Sequence, residues 1–231
     1  MEYLFEAITG AFRLIFTLDG EIVTITLLSL RLALSATLIA AILGVPLAYF
    51  VATKDFPGKN VLITIFNTLM ALPTVVVGLL CYSFLSRKGP LGFLDLLFTP
   101  SGIIIGDVIL AFPLIVGLTI AAVNSVDSRA HMTAISLGAS SRQASITILA
   151  EARFGLMAAL FNGFGRVVAE VGSAMMLGGN IRGYTRTITT AIALETSKGE
   201  FAFGMALGII LLTLALSVNL TFRRLQSRSR T

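Results

Sequence analysis

Three polar side chains recur every fourth residue inside an otherwise apolar stretch: Asn162, Arg166 and Glu170, with Ser173 close behind. At that spacing the three form one stripe on a helix face. Ions in a membrane segment cost roughly +2.5 to +3.5 kcal/mol each on insertion scales, and face protein interior or a watery path. Two readings stay open. The stripe borders a translocation pathway or gate, with Arg166 favouring a dianion and Glu170 restraining it, or the two ions pair and fix helix packing. An adjacent carboxylate would cancel much of the attraction for an anion, which weighs toward the second. A further polar set follows at Asn180, Arg182, Thr185, Arg186 and Thr187. Its two guanidinium groups suit an oxyanion or an acidic docking surface, or else serve as headgroup anchors.

Little other chemistry is on offer. One cysteine, Cys81, forms no internal disulfide or cysteine cluster, and one histidine, His131, makes a histidine metal site or Ser-His-Asp centre improbable. No catalytic set and no metal site are expected. The phosphate-binding pattern G-x-x-x-x-G-K-[ST] is absent from the sequence, so no nucleotide cofactor is expected on this chain.

The elements that position these residues must live in lipid. Of 231 residues, 56% are apolar and 13% charged, with a mean hydropathy of +0.93. A soluble domain carries about 25% charged residues, so a soluble enzyme is disfavoured, and so is disorder. Five segments are long and apolar enough to cross a bilayer as helices: Leu32–Ala52, Val61–Leu85, Gly102–Val126, Phe154–Leu177 and Phe201–Phe222. Asp107 is the one charge in the third, and Arg166 and Glu170 lie in the fourth. No dyad alternation suggests a barrel. Pro46, Pro73 and Pro113 fall inside the first three and predict kinks. Gly102/Gly106 and Gly204/Gly208 match the small-xxx-small packing spacing, a pattern expected by chance among 21 glycines.

Residues 1–18 differ. Leu4, Phe5, Ile8, Ala11, Phe12, Ile15 and Phe16 fall at helical spacing opposite Glu2, Glu6, Thr9 and Arg13. This predicts an amphipathic helix that lies on the membrane surface or packs on the bundle flank. The start, Met1 to Glu6, has no basic region, so no cleavable signal is expected. The length leaves no room for an ATPase or ligand-binding domain beside five spans.

Orientation follows the basic residues. Lys54, Lys59, Arg129, Arg142, Arg153, Arg223, Arg224, Arg228 and Arg230 gather on one side, against Arg13, Arg87, Lys88, Arg182, Arg186 and Lys198 on the other. The richer side is expected in the cytoplasm, with the N-terminus outside and the C-terminus inside. The net charge of +5 is then a topology signal, with no nucleic-acid partner implied. Arg31, near the outer end of the first span, snorkels to the interface.

The cytoplasmic segment 127–153 carries its own signals. Asp127 or Ser128 caps a helix through Leu137, Gly138 ends it in a left-handed conformation, and Ser140 with Gln143 forms a capping box for a second helix to about Glu151. Met132, Ile135, Leu137, Ile146, Ile148 and Leu149 are expected to be exposed, as a knob for a partner's groove or a helix pair lying on lipid.

The stretch Met132-Thr133-Ala134-Ile135-Ser136-Leu137-Gly138-Ala139-Ser140 resembles the "EAA" loop of ABC importer permeases. Ala134, Gly138 and Ile148 match at that family's spacing, whereas Met132, Thr133 and Ala150-Glu151 depart from it. Phe164-Gly165-Arg166-Val167-Val168-Ala169-Glu170-Val171-Gly172-Ser173, followed by Gly178-Gly179-Asn180-Ile181 and Thr185-Arg186-Thr187-Ile188, resembles the oxyanion branch of molybdate, tungstate and sulfate permeases. With Met175-Met176-Leu177-Gly178-Gly179-Asn180-Ile181-Arg182-Gly183 it is most similar to tungstate permease subunits.

The resemblance implies a single all-α integral membrane domain over 1–231, of the type I ABC importer class. Its parts are five transmembrane helices, the interfacial helix 1–18 and the cytoplasmic coupling loop 127–153. It implies a second permease copy, most simply forming a homodimer, a cytoplasmic ATPase dimer carrying ATP and Mg, and an extracytoplasmic substrate-binding protein. Met132, Thr133, Ala134, Leu137, Gly138, Ala139, Ser140 and Ile148 are the expected ATPase contacts. Asn180, Arg182, Thr185 and Arg186 are expected to face the binding protein or the substrate near an outer gate. A secondary transporter or channel would explain the spans equally well but commonly shows internal repeats, of which none is convincing. A membrane enzyme would need paired catalytic groups, and only Arg166 and Glu170 offer themselves.

Overall fold

A computed structural model describes residues 2–227, the side chains of 2–5, Ser128, Ala130, His131, Ala134, Ser141 and Ser227 excepted. Leu4, Phe5, His131, Ala134, Arg228 and Arg230, all used above, lie wholly or by side chain outside the described residues. The described chain is helical, in eleven α-helices and one short 3-10 turn at Gly92–Leu94, with no strand among the described residues.

Helix α1 (Glu2–Phe16) packs Ala7 and Ala11 inward and leaves Ile8, Phe12 and Phe16 exposed. Its Ala11 joins Ile22, Ile25, Ile188, Ala191, Ala206 and Leu207 in one cluster. The bundle flank is therefore its seat, with the Phe edge turned away. Asp19 then caps α2 (Gly20–Thr53), its carboxylate accepting from the Glu21 and Ile22 amides at 3.0 and 3.2 Å. α2 runs through Pro46 and packs on α5 (Pro100–Asn124), which starts at the Thr99 cap with Pro100 in its first turn and runs through Pro113.

Small residues bring these helices together. Ala33, Ala36 and Ala40 of α2 meet Ala111 and Ile115 of α5 and Phe164, Val167 and Val168 of α8 (Arg153–Val168). A Cβ at Gly163 would fall 2.9 Å from Ile115, so the α8–α5 approach depends on its absence. In lipid no hydrophobic force separates helix from solvent, and such close packing supplies much of the attraction. Of the glycine pairs, Gly106 lies against Leu177, where a Cβ would be 2.6 Å from Cδ1, while nothing lies within 4 Å of a Cβ at Gly208.

Among the described residues, α2, α5 and α11 (Phe201–Ser227) are the helices long and apolar enough to cross a membrane alone. The second expected span is two helices, α3 (Lys59–Leu69) and α4 (Thr74–Leu85), bent by 99°. Pro73, lacking an amide hydrogen, stands at the bend as the N-cap of α4. The fourth is interrupted as well: α8 stops at Val168 and α9 (Gly172–Gly178) restarts after Ala169, Glu170 and Val171. α8 is also preceded by α7 (Ser141–Glu151), with a bend of 69° between them. Counting each bent pair as one span gives five, by length and composition.

Between α5 and α7 lies α6 (Ser128–Ser136). The expected caps are present: Asp127 accepts from the Arg129 amide at 2.9 Å, Gly138 has φ +87°, and Ser140 with Gln143 forms the reciprocal box. Past α9 the segment expected to be an external loop holds a helix, α10 (Ile188–Lys198), capped by Thr187 with Thr190.

Candidate functional site

The break in the fourth membrane segment reorganises the polar stripe. Asn162 and Arg166 lie on α8 and line an open groove of about 600 Å³ between α8 and α11, with Asn219 opposite and a wall of Phe161, Phe164, Leu211 and Leu212. Glu170 does not join them. It sits in the interruption, buried, and its Oε1 accepts from the Ser173 amide at 2.9 Å, capping α9. The single helical stripe expected from the spacing is thereby corrected: helical geometry ends at Val168, so the four-residue repeat no longer holds Glu170 on that face.

Arg166 and Glu170 form no ion pair among the described residues. The Arg166 guanidinium donates to the Leu72 carbonyl at 3.0 Å, at the α3–α4 bend. Helix ends leave carbonyls without intrahelical partners, and a guanidinium on the neighbouring helix satisfies this one. Arg166 is otherwise exposed to the groove. Asn162 donates to the Ala158 carbonyl at 2.8 Å, one turn back. Ser173 lies outside the groove, 1% exposed, in the core where α9 meets Gly106 of α5.

Behind the groove, Glu170 faces a second buried carboxyl, Asp107, across a cavity of about 10 Å³ that Ser29, Thr187 and Thr189 also line. Asp107 is 3% exposed and its Oδ1 has no hydrogen-bond partner. Such a volume admits about one water. The sequence flagged Asp107 only as a charge in a span and Thr187 only as part of the polar set after α9, and Ser29 and Thr189 gave no signal at all.

The polar set that follows α9 is held within the chain. Thr185 is fully buried, donates to the Gly178 carbonyl and accepts from the Ile181 amide, so it braces a turn rather than facing solvent. Asn180, at φ +51°, donates to the Thr190 carbonyl at 3.2 Å. Glu21 of α2 accepts from both Arg182 and Arg186, and Arg186 also approaches Glu195 of α10 at 3.6 Å. The hydrogen bonds it donates to Glu21 hold the Arg182 guanidinium above its ordinary pKa. Of the two arginines, Arg182 is exposed over 72% of its side chain and Arg186 over only 11%. Sequence spacing could not find Glu21, some 160 residues away.

On the other face, Met132, Ile135, Leu137 and Ile146 are exposed, Leu137 by 83%. Thr133 is exposed too, Ala139 is half-buried, and Ser140 is exposed at its cap. Ile148 departs from the expected knob: it is buried with Ala122, Val123 and Ala152 at the end of α5, and Leu149 is partly buried there. The reason is register, since Ala144 and Ile148 share the inner face of α7, with Ala152 at its C-cap in line with them.

A bundle of membrane-length and broken helices with a polar groove, an ionic surface beside α10 and an exposed apolar loop defines a multi-pass membrane protein. The sequence profile of the binding-protein-dependent transport system inner membrane component matches residues 44–231, and the chain belongs to that family. It is the membrane permease subunit of an ABC transporter, with ATP hydrolysis on a separate subunit, and secondary transport and membrane-enzyme readings fall away.

Among relatives, a probable anion ABC transporter permease protein of Haloferax volcanii is 41% identical, over 90% of this chain and 92% of its own length. A tungstate uptake system permease protein TupB of Peptoclostridium acidaminophilum is 38% identical, over 98% and 99%. A molybdenum transport system permease protein ModB of Haemophilus influenzae is 31% identical, over 71% and 76%. The fold is shared with a solved amino acid ABC transporter crystallised with histidines, at TM-score 0.62 and 21% identity, covering 92% of this chain and 94% of that one.

Proposed function

We propose that this subunit forms the translocation pathway for a tetrahedral oxyanion, tungstate first, with molybdate as the nearest second reading. The observation that carries it is likeness along essentially the whole chain, 98%, to a tungstate permease, against 71% for a molybdenum permease. Arg166 supports it physically. Its charge lies open to the groove, and among the described residues no carboxylate pairs with it; the Leu72 carbonyl accepts from it. The cancellation that weighed against an anion-attracting role depended on Glu170 standing beside it on one helix face.

In this reading two copies meet about a two-fold axis and close the α8–α11 groove into a pore, so one gene product suffices. The N-terminus lies outside and the C-terminus inside the cell membrane. The exposed Met132, Thr133, Ile135 and Leu137, with Gly138, Ala139 and Ser140, receive the ATPase dimer, which carries ATP and Mg. Ala134 and Ile148 keep their place in the loop, Ile148 as its anchor to α5. Arg182, with Arg186 beneath it, meets the binding protein, while Asn180 and Thr185 hold that surface in shape.

Cells with and without this chain are compared for tungsten and molybdenum content after growth on equal low concentrations of both oxyanions. Selective loss of tungsten is expected. Equal loss of both would leave the tungstate preference without support, and no loss of either would refute the oxyanion reading.

A further inference from the structure

The external segment is tied to the break in the fourth membrane segment by hydrogen bonds that the transport reading leaves without a role. Glu170 uses both its ends there. Its side chain caps α9 through the Ser173 amide at 2.9 Å, and its backbone carbonyl accepts from the Thr189 hydroxyl. Thr189 lies in the first turn of α10, and the residue before it, Ile188, donates its amide to the Ser29 hydroxyl of α2 at 2.8 Å. Ser29, Glu170 and Thr189 are all buried.

An unwound stretch in a membrane segment exposes carbonyls that lipid cannot satisfy, and each needs a donor from the protein. Here that donor comes from the external helix, so the break keeps this form while α10 keeps its place. The far end of α10 reaches the outer surface. Glu195 binds Lys198 at 3.0 Å and approaches Arg186, which shares Glu21 with the exposed Arg182. One short helix thus connects the outer ionic surface to the segment that carries Arg166 and Glu170.

We propose that Thr189 and Ser29 are positioning residues of a latch, through which a binding protein seated on the outer surface sets the conformation of the α8–α9 break. The proposal rests on the transport reading above. Displacing α10 removes the Thr189 donor, frees the Glu170 carbonyl and loosens the start of α9, next to the groove.

The test uses the complete transporter in liposomes, permease with its ATPase and binding protein, and tungstate as the probe. Thr189→Val keeps the β-branched shape and removes the hydroxyl, whereas Thr189→Ser keeps it. Loss of one buried hydrogen bond predicts about a five- to tenfold smaller stimulation of ATP hydrolysis by tungstate-loaded binding protein in Thr189→Val. Basal hydrolysis and complex yield stay at wild-type levels, and Thr189→Ser retains the stimulation. Wild-type stimulation of Thr189→Val, or equal impairment of both variants, overturns the latch.

If Thr189→Val does not assemble, Ser29→Ala carries the same comparison: reduced stimulation at normal basal rate supports the latch, and unchanged stimulation overturns it. A wild-type complex that neither tungstate- nor molybdate-loaded binding protein stimulates refutes the transport reading itself, and the latch with it. Normal wild-type stimulation with a normal Thr189→Val refutes the latch alone.

Discussion

If segment 127–153 receives the ATPase as proposed, replacing Ser140 by Ala should weaken that grip by loosening the segment itself. The Gln143 amide reaches Ser140 Oγ at 3.4 Å, while Gln143 Oε1 accepts from the Ser140 amide at 2.8 Å and its hydroxyl at 3.0 Å. Ala at this N-cap removes the first and last of these bonds and leaves one orphan donor at the start of α7. Caps of this kind contribute about 1 kcal/mol, and the site's exposure keeps the figure at that level, because water competes for the same groups.

If the loop must be helical to dock, about 1 kcal/mol lowers the ratio of ordered to disordered loop about fivefold, and the affinity for the ATPase falls by up to that factor, in full where the ordered form is the minor one. Affinity is measured by titrating purified ATPase onto the detergent-solubilised permease, with amide exchange at residues 140–143 as the local readout. Ser140→Ala and Gln143→Ala should be strongly non-additive, since either breaks the same box. Wild-type affinity in Ser140→Ala together with faster exchange at those amides would refute the link between loop order and docking. Full additivity of the two changes would refute the reciprocal box.

Other expectations concern packing, the break and the loop's charge. Gly163→Ala places a Cβ 2.9 Å from Ile115, and overpacking of about 1–3 kcal/mol should lower the melting temperature in detergent, with Ile115→Val, which removes the clashing Cδ1, costing less in that background than in the wild type. Glu170→Gln keeps an acceptor for the Ser173 amide and should assemble with near wild-type melting, whereas Glu170→Leu leaves that buried amide unsatisfied at a cost of about 1–3 kcal/mol and should melt clearly lower. Side-chain and backbone hydrogen bonds from Arg129 hold the Asp127 carboxyl below its ordinary 3.8. A group with a depressed folded pKa contributes stability that is present above the ordinary value and lost as pH falls through the depressed one. Amide protection at Arg129, corrected for intrinsic exchange, should therefore hold down to about pH 4 and decline below it, while Asp127→Asn shows no such step. A decline already complete at pH 5 would contradict the shift.

Much of this protein was legible locally because its decisive signals are local. Runs such as Leu32–Ala52 declare membrane helices by composition alone, and Ser140 with Gln143 or Gly138 with its left-handed φ need only near neighbours, so those features stand where spacing put them. The Gly138 and Arg166-to-Ser173 stretches likewise marked the family. Hydropathy could not see breaks: apolar content continues across Met70–Pro73 and through Phe154–Leu177, while the helix does not. A helical repeat also assumes an unbroken helix, which is why Arg166 and Glu170 were set on one face.

The tertiary structure alone decided their partners. Arg166 meets Leu72 across 94 residues, Glu170 meets Thr189 and faces Asp107, and Glu21 gathers two arginines from the far end of the chain. Polar groups removed from water take whichever donor or acceptor the packing brings within reach, and that choice belongs to the assembled bundle rather than to spacing along the chain.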